Sequence, residues 1–292
     1  MKNFPLLILT AVVASLIAVA HADTIYVSNA GNDTIVRITS DGVSSLFANT
    51  GSPSHGLAFD SAGNLYAAGD TSTIEKFTPS GVGSTFASTG LSNPVGLAFD
   101  SSFNLYAANR GDFTIEKFTL GGVGSVFANS SSGVSNPRGL AFDTAGNLYM
   151  ANSFFNTIVR FTPGGVGSVF ASGALSSPEG LAFDSTGNLF VANSGNQQIQ
   201  KVEPNGDIST FATTNGRTPR GLAFDSEGYL YAAMSNNTIE RFTPAGVSSV
   251  FATGLNNPQY IAVVPEPSSC ILLLSGALLC LRRKRPSISA LR

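Results

Sequence analysis

The residues of this chain able to do chemistry stand at recurring places. The phrase Gly-Leu-Ala-Phe-Asp occurs at 56–60, 96–100, 139–143, 180–184 and 221–225. Each copy closes on an aspartate (Asp60, Asp100, Asp143, Asp184, Asp225), so a ring of carboxylates is the first chemistry to weigh. The residues that follow favour a turn instead. Asp-x-x-Gly-Asn puts a side-chain acceptor in front of free backbone N–H groups and a glycine where the chain turns left-handed. The residue before each Gly varies much more: His55, Val95, Arg138, Glu179, Arg220 and, in a degenerate sixth copy, Gln259. A hard cation needs several oxygen ligands at once. Only Glu179 in that set is acidic, and the two arginines would repel a cation. Histidine chemistry is equally thin: of 2 histidines, His21 falls in an N-terminal leader, and His55 reads as a solvated residue of the rim. No convergent acid, His or Cys constellation emerges from the repeats.

A second group is aromatic and basic. Most of the short polar loops are small, such as Ala30-Gly31-Asn32 or Ser235-Asn236-Asn237. Two are not: Arg110-Gly111-Asp112-Phe113 and Ser153-Phe154-Phe155-Asn156. Grouped, exposed aromatics mark interaction sites, and flat rings stack on sugar faces. Arg110, Phe113, Arg138, Phe154 and Phe155 therefore read as one ligand-binding patch, with His55, Glu179, Arg220 and Gln259 beside it. The competing reading packs the phenylalanines between repeats.

The elements that must position these residues follow from the period. The copies start 40, 43, 41 and 41 residues apart, the signature of stacked supersecondary units. After the phrase come an apolar run (Leu65-Tyr66-Ala67-Ala68), a polar loop, a second run (Thr73–Thr78), a Pro/Gly turn, and Gly83–Ala87. Short β-branched and aromatic runs bounded by Gly, Pro, Asn and Asp read as strands. Four per unit make one antiparallel blade. Three position-specific sets each have six members: Tyr26, Tyr66, Tyr106, Tyr149, Phe190, Tyr231; Ile35, Ile74, Ile115, Ile158, Ile199, Ile239; and Phe47, Phe86, Phe127, Phe170, Phe211, Phe251. The chain opens on a second strand, and its missing first strand appears at the far end, in Pro258–Val263. The spacing thus predicts an all-β, six-bladed β-propeller over 23–264. Its closure pairs a C-terminal strand at 261–264 with a three-stranded N-terminal blade, which removes open sheet edges.

The phrase Pro-x-Gly-Leu-Ala-Phe-Asp-x-x-Gly-Asn-Leu-Tyr-x-Ala-Asn, followed by Thr-Ile-x-Arg-Phe, resembles the NHL repeat. It is similar also to the regucalcin and gluconolactonase group of six-bladed propellers. The resemblance covers roughly 24–264 and implies the fold. That fold hosts lactonases, lyases, receptor modules and RNA binders, so it names no single function. The metal ligands of the gluconolactonase-like group find no residue-by-residue match here.

The ends carry addressing signals. Met1-Lys2-Asn3, an apolar stretch from Phe4 to Ala18, and Ala20-His21-Ala22 read as a secretory signal peptide over 1–22. At 265–292, Pro265-Glu266-Pro267, an apolar segment over 270–281 and the cluster Arg282-Arg283-Lys284-Arg285 resemble the PEP-CTERM sorting signal of Gram-negative bacteria. That resemblance implies export across the inner membrane, processing by an exosortase, and a cell-surface or extracellular destination. The basic cluster suits the cytoplasmic side of a membrane-halting segment. The 14 residues 268–281 would span only about 21 Å as a helix, against a hydrocarbon core of about 30 Å. Such a segment suits transient membrane contact. Both cysteines, Cys270 and Cys280, lie in this tail, leaving 23–264 without a disulfide or a Cys-ligated zinc site.

Charge narrows the partners. The chain has 16 Lys+Arg and 18 Asp+Glu. Six of the basic residues and one acidic residue fall outside 23–264, which leaves 10 against 17 and a net charge near −7. Nucleic acid requires a basic footprint and is not expected. The reading is a non-enzymatic binding or scaffold module at the cell surface, for exopolysaccharide or another surface protein, with no cofactor. The alternative is a lactonase, hydrolase or lyase using the central channel with calcium or another divalent cation.

Overall fold

The computed structural model describes residues 23–264. The leader 1–22 and the tail 265–292, with Pro265, Glu266, Pro267, Arg282, Arg283, Lys284 and Arg285, lie outside the described residues. Among the described residues, 24 strands form six four-stranded sheets. The first blade holds β1 (Thr24–Asn29), β2 (Thr34–Ile38) and β3 (Ser44–Asn49). The second holds β4 (Ser54–Phe59), β5 (Leu65–Gly69), β6 (Thr73–Phe77) and β7 (Gly83–Ala87). The third holds β8 (Pro94–Phe99), β9 (Leu105–Asn109), β10 (Thr114–Phe118) and β11 (Gly124–Ala128). The fourth holds β12 (Pro137–Phe142), β13 (Leu148–Asn152), β14 (Thr157–Phe161) and β15 (Gly167–Ala171). The fifth holds β16 (Pro178–Phe183), β17 (Leu189–Asn193), β18 (Gln198–Val202) and β19 (Ile208–Thr213). The sixth holds β20 (Pro219–Phe224), β21 (Leu230–Met234), β22 (Thr238–Phe242) and β23 (Ser248–Ala252). The chain ends its described part on β24 (Pro258–Val264), which joins the first blade in the order β24-β1-β2-β3.

Closure is therefore the permuted join of one C-terminal to three N-terminal strands. The pairing runs from Thr24 opposite Val264 to Asn29 opposite Pro258, so β24 starts three residues before the expected 261. A bulge between Val27 and Asn29 accounts for the extra length, and the same irregularity separates Pro137 from Leu140 in β12. The bulge absorbs one residue and lets the proline end of the strand keep its pairing.

Burial explains why the strands do not alternate in polarity. The second strands β5, β9, β13, β17 and β21 are buried at every residue, covered on both faces by neighbouring blades. The outer strands β7, β11, β15 and β23 bury only their last residue. Aromatic rings lock blade to blade. Tyr66 lies edge-on to Phe86 of its own blade (4.9 Å) and to Phe99 of the next (5.1 Å), and Tyr106 repeats this with Phe127 and Phe142 (both 5.0 Å). Such pairs add about 0.5–1.5 kcal/mol each beyond the area they bury.

The repeated aspartates are turn residues. Asp60 Oδ1 accepts the N–H groups of Ala62 (3.0 Å) and Asn64 (2.8 Å), and Oδ2 accepts the Asn64 amide (2.8 Å). Asp100, Asp143 and Asp184 repeat the pattern. These bonds hold the Asp60 carboxyl below its ordinary value, although burial alone would raise it.

Glycine is required on the innermost strand. A Cβ on Gly96 would lie 2.1 Å from the Arg138 carbonyl oxygen, and one on Gly139 would lie 2.4 Å from that of Glu179. Gly56, Gly180 and Gly221 meet the next blade's backbone as closely, at 2.2, 2.2 and 2.5 Å. The first strands thus pack backbone to backbone around the axis, and the residue before each glycine is what the ring presents.

Candidate functional site

The loops joining second to third strands share a face with the starts of the first strands. Arg110 N–H donates to the Asn93 carbonyl (3.1 Å) and Gly111 N–H to that of Ser92 (2.9 Å), tying the β9–β10 loop to the segment leading into β8. The Ser153 N–H makes the same tie to Asn136 (3.4 Å), and the Ala30 N–H to Asn257 (3.2 Å). This face carries the candidate ligand-binding residues read from the sequence.

At its centre, six residues fall within reach of one another's charge: His55, Arg110, Arg138, Glu179, Arg220 and Tyr260. Burial pushes the Glu179 carboxyl above the usual carboxylate range, against the pull of Arg138, Arg220 and Arg110. Burial also holds the His55 imidazole below its ordinary value. The hydrogen bond and charge of Asp70 oppose that, while Arg110 and Arg138 add to it. Burial raises the Tyr260 phenol, with Glu179 adding and the two arginines opposing. Three guanidiniums thus surround one carboxyl that is itself reluctant to ionise. The Asp70 carboxylate lies at the same mouth, bonded to His55.

Individual placements differ from the sequence expectation in two cases. His55 is not solvated: its side chain is 15% exposed, and its Nε2 sits 2.7 Å from Asp70 Oδ1. Asp70 follows β5 and faces the start of β4, fifteen residues from its partner, so no local motif announced the pair. Val95 is fully buried and takes no part in the surface. Arg220 donates to Asn257 Oδ1, and Gln259 Nε2 donates to the Asn257 carbonyl (3.3 Å), so those two are anchored on the turn before β24.

The aromatic half of the patch is exposed and not packed between blades. Phe154 is 69% and Phe155 60% exposed, and the two rings meet edge to face at 5.3 Å. Phe113 is 43% exposed on the neighbouring blade, with a left-handed backbone (φ 59°). Among the described residues it has no ring contact with the Phe154–Phe155 pair. The structure therefore supplies an arginine-lined mouth and a separate aromatic pair on one face.

Tyr260 is the residue that reading the sequence missed. It stands where the other five first strands have Gly56, Gly96, Gly139, Gly180 and Gly221. The signal was present in Pro258-Gln259-Tyr260-Ile261-Ala262, aligned with Pro-x-Gly-Leu-Ala. A side chain there cannot pack backbone to backbone, and the seam is rebuilt by a second departure. Ser28 occupies the register of Ala68, Ala108, Ala151, Ala192 and Ala233. Its Oγ donates to the His55 carbonyl (2.7 Å) and accepts the Tyr260 N–H (3.0 Å). The Tyr260 hydroxyl and the Arg138 Nε are both buried without a hydrogen-bond partner. Two donors held in a desolvated, positive pocket are suited to an anionic oxygen ligand. Among the described residues, no group of three or more His, Cys, Asp or Glu is arranged to hold a metal ion. Nor is any helix among them long and apolar enough to cross a membrane.

A family model described as the NHL repeat matches residues 175–202. No curated protein sequence matches the chain. Solved structures do resemble it. A chain of a nidogen/laminin complex superposes with a TM-score of 0.75 at 20% identity, covering 82% of this chain and 98% of that one. A catalytically inactive virginiamycin B lyase from Staphylococcus aureus, solved with quinupristin, gives 0.64 at 16%, covering 85% and 94%. A gluconolactonase from Xanthomonas campestris gives 0.63 at 16%, covering 73% and 82%. At these identities the likeness is one of fold. It joins a binding propeller and two kinds of enzyme on the same architecture.

Proposed function

We propose that this protein is an exported, non-enzymatic binding module whose channel-mouth face holds an acidic polysaccharide at the cell surface or in the extracellular matrix. The carrying observation is the pair of buried, unpartnered donors, Arg138 Nε and Tyr260 Oη, inside a mouth ringed by Arg110, Arg138 and Arg220. A carboxylated sugar supplies the acceptor both donors lack, and hydrogen bonds to a charged partner are the strong ones. The exposed Phe154–Phe155 pair offers a neighbouring surface for the ring of a following residue. In this reading the tail makes transient membrane contact and is processed by exosortase-type machinery, in a Gram-negative bacterium that makes exopolysaccharide. An acidic segment of another surface protein is the competing partner.

The test is isothermal titration of the full chain with polygalacturonate and with alginate, at low and at physiological salt. Saturable binding is expected, weakened by salt. It should fall about tenfold or more in Arg138→Gln, as loss of a charge-assisted hydrogen bond predicts. If neither acidic polymer binds saturably, the reading fails.

A second reading keeps its own observation. Glu179, held towards its protonated form beside the Tyr260 phenol, is what a general acid in the channel would look like. A lactonase, hydrolase or lyase would then act there with calcium or another divalent cation. Turnover of an aldonolactone that is lost in Glu179→Gln, or strong thermal stabilisation by calcium alone, would put this reading first.

A further inference from the structure

A groove on the fourth blade combines three features that no sister blade has together. It opens between the 3-10 turn Ser130–Ser132, which follows β11, and the strands β14 and β15, and it encloses about 350 Å³. That volume lies within the usual range for small-molecule sites, roughly 300–1,000 Å³. The first departure is at its lip. The third strands of five blades open on a threonine: Thr34, Thr73, Thr114, Thr157 and Thr238. Four of these hydroxyls bond the residue two before them: Asn32 (2.8 Å), Thr71 (3.0 Å), Asp112 (2.8 Å) and Asn236 (2.8 Å). In the fourth blade that residue is Phe155, which offers no acceptor. The second departure follows: the Thr157 hydroxyl is buried with no partner, and it lines the groove. The third is the floor. Val159 pairs with Val169, as Val36 pairs with Leu46 in the first blade, at the register where the second, third and sixth blades carry Glu75, Glu116 and Glu240 and the fifth carries Gln200.

We infer that this groove is a subsite for a neutral hexopyranose ring. No ionisable side chain lines it, so it has no attraction for the acidic residue the channel mouth would take. Phe155 and Val169, both exposed, give two apolar walls for the C–H face of a sugar. Thr157 offers an unused hydroxyl at depth, and Ser132 and Ser168 offer hydroxyls at the edges. A hydroxyl-rich ring with one apolar face meets all of these. A purely apolar ligand would leave Thr157 as unsatisfied as it is now. The inference takes its ligand class from the carbohydrate-binding reading above and shares Phe155 with it, but its other residues and its sugar chemistry are different, and Arg138 has no part in it. The two therefore fail separately.

The repeats supply the control variants. Phe155→Asn restores the acceptor that Asn32 and Asn236 provide in their blades. It should leave the melting temperature unchanged or raised while weakening sugar binding about tenfold, through loss of the stacking face. Thr157→Val should likewise cost no stability, because the hydroxyl it removes is unsatisfied, and should weaken binding about fivefold. Thr114→Val, at the same register with its hydroxyl bonded, should lower the melting temperature and leave binding intact. The measurement is isothermal titration of the full chain with cello-, laminari-, malto- and manno-oligosaccharides, with thermal melts of each variant. Binding of one series with this pattern of losses supports the subsite, and Arg138→Gln should not affect it. Failure of all four series to bind overturns it, as does binding undiminished in Phe155→Asn. A drop in melting temperature for Thr157→Val like that of Thr114→Val also overturns it, since the hydroxyl would then be satisfied within the fold.

Discussion

Replacing Tyr260 with phenylalanine should stabilise this protein and weaken its binding of acidic sugar. The Tyr260 hydroxyl is buried without a partner. An unsatisfied buried hydroxyl costs about 1–3 kcal/mol. Phenylalanine keeps the ring and its volume, so no cavity offsets the gain. Nor does a charge change, because burial and Glu179 keep the phenol protonated at any working pH. A net gain of about 1–2 kcal/mol, at about 2–4 °C per kcal/mol for a domain of roughly 150–250 residues, raises the melting temperature by about 2–8 °C. Circular dichroism melts of Tyr260→Phe beside the parent protein read this directly. Titration with polygalacturonate should show affinity reduced about fivefold to tenfold, one hydrogen bond to a charged acceptor having been lost. A lower melting temperature in Tyr260→Phe would refute the reasoning: the hydroxyl would then be satisfied in the folded protein, and the mouth would hold no spare donor. A higher melting temperature with unchanged affinity would leave the channel desolvated but remove it from the binding site.

The seam beside Tyr260 gives the opposite sign. Ser28→Ala removes the donor to the His55 carbonyl and the acceptor of the Tyr260 N–H, both at a buried position, and urea unfolding should show a loss of about 1–3 kcal/mol. On the innermost ring, Gly139→Ala drives a methyl to 2.4 Å from a backbone oxygen that cannot yield. Overpacking of this kind costs about 1–3 kcal/mol, so the melting temperature should drop by several degrees. Glu179 predicts a pH dependence. Its folded value lies above the ordinary 4.5, so the folded state binds its proton more tightly than the unfolded chain. The stability it contributes is full below pH 4.5 and is lost as pH rises through the raised folded value. Glu179→Gln should flatten that decline in melting temperature between pH 4 and 7, and an unchanged slope would refute the assignment.

The fold was legible because it is written six times. Any single run, such as Leu65–Ala68, is too short to separate strand from buried helix. Six aligned copies of Tyr66, Ile74 and Phe86 identify a unit, and the displaced copy at 258–264 identifies how the ring closes. The Asp-x-x-Gly-Asn turns were legible for a local reason, since donor and acceptor lie within four residues of each other. Of the candidate site, the sequence showed only what side-chain type decides, such as the charge of the arginines at 138 and 220; the exposure of Phe154 and Phe155 was one of two open readings. What escaped depends on partners remote in sequence. His55 is removed from solvent and bonded to Asp70 across a blade, and Ser28 bonds a residue 232 positions away. The hydroxyls of Thr157 and Tyr260 matter through what they fail to touch, which residue type cannot reveal.

A repeat protein carries its own reference state, and that bears on where function sits. One face of this disc is built from turns that hardly vary: the Asp60, Asp100, Asp143 and Asp184 turns share one bonding pattern, and Thr78, Thr119, Thr162 and Thr243 each accept the N–H four residues on. One position there departs: Phe103 stands exposed with φ 61° where the sister turns have a left-handed glycine. The other face holds most of the departures that the blades do not need: a tyrosine for a glycine at 260, a serine for an alanine at 28, and a phenylalanine for a hydrogen-bond acceptor at 155. Two of these leave a buried hydroxyl unsatisfied, at Tyr260 and Thr157, where the same registers of the sister blades leave none. Local rules broken without structural gain are where a binding role is to be sought, and here most of the breaks share a single face. If that cost has no function, restoring the repeat residue at each site should raise stability and lose nothing. If it has one, Phe155→Asn should give a sturdier propeller that no longer holds its sugar.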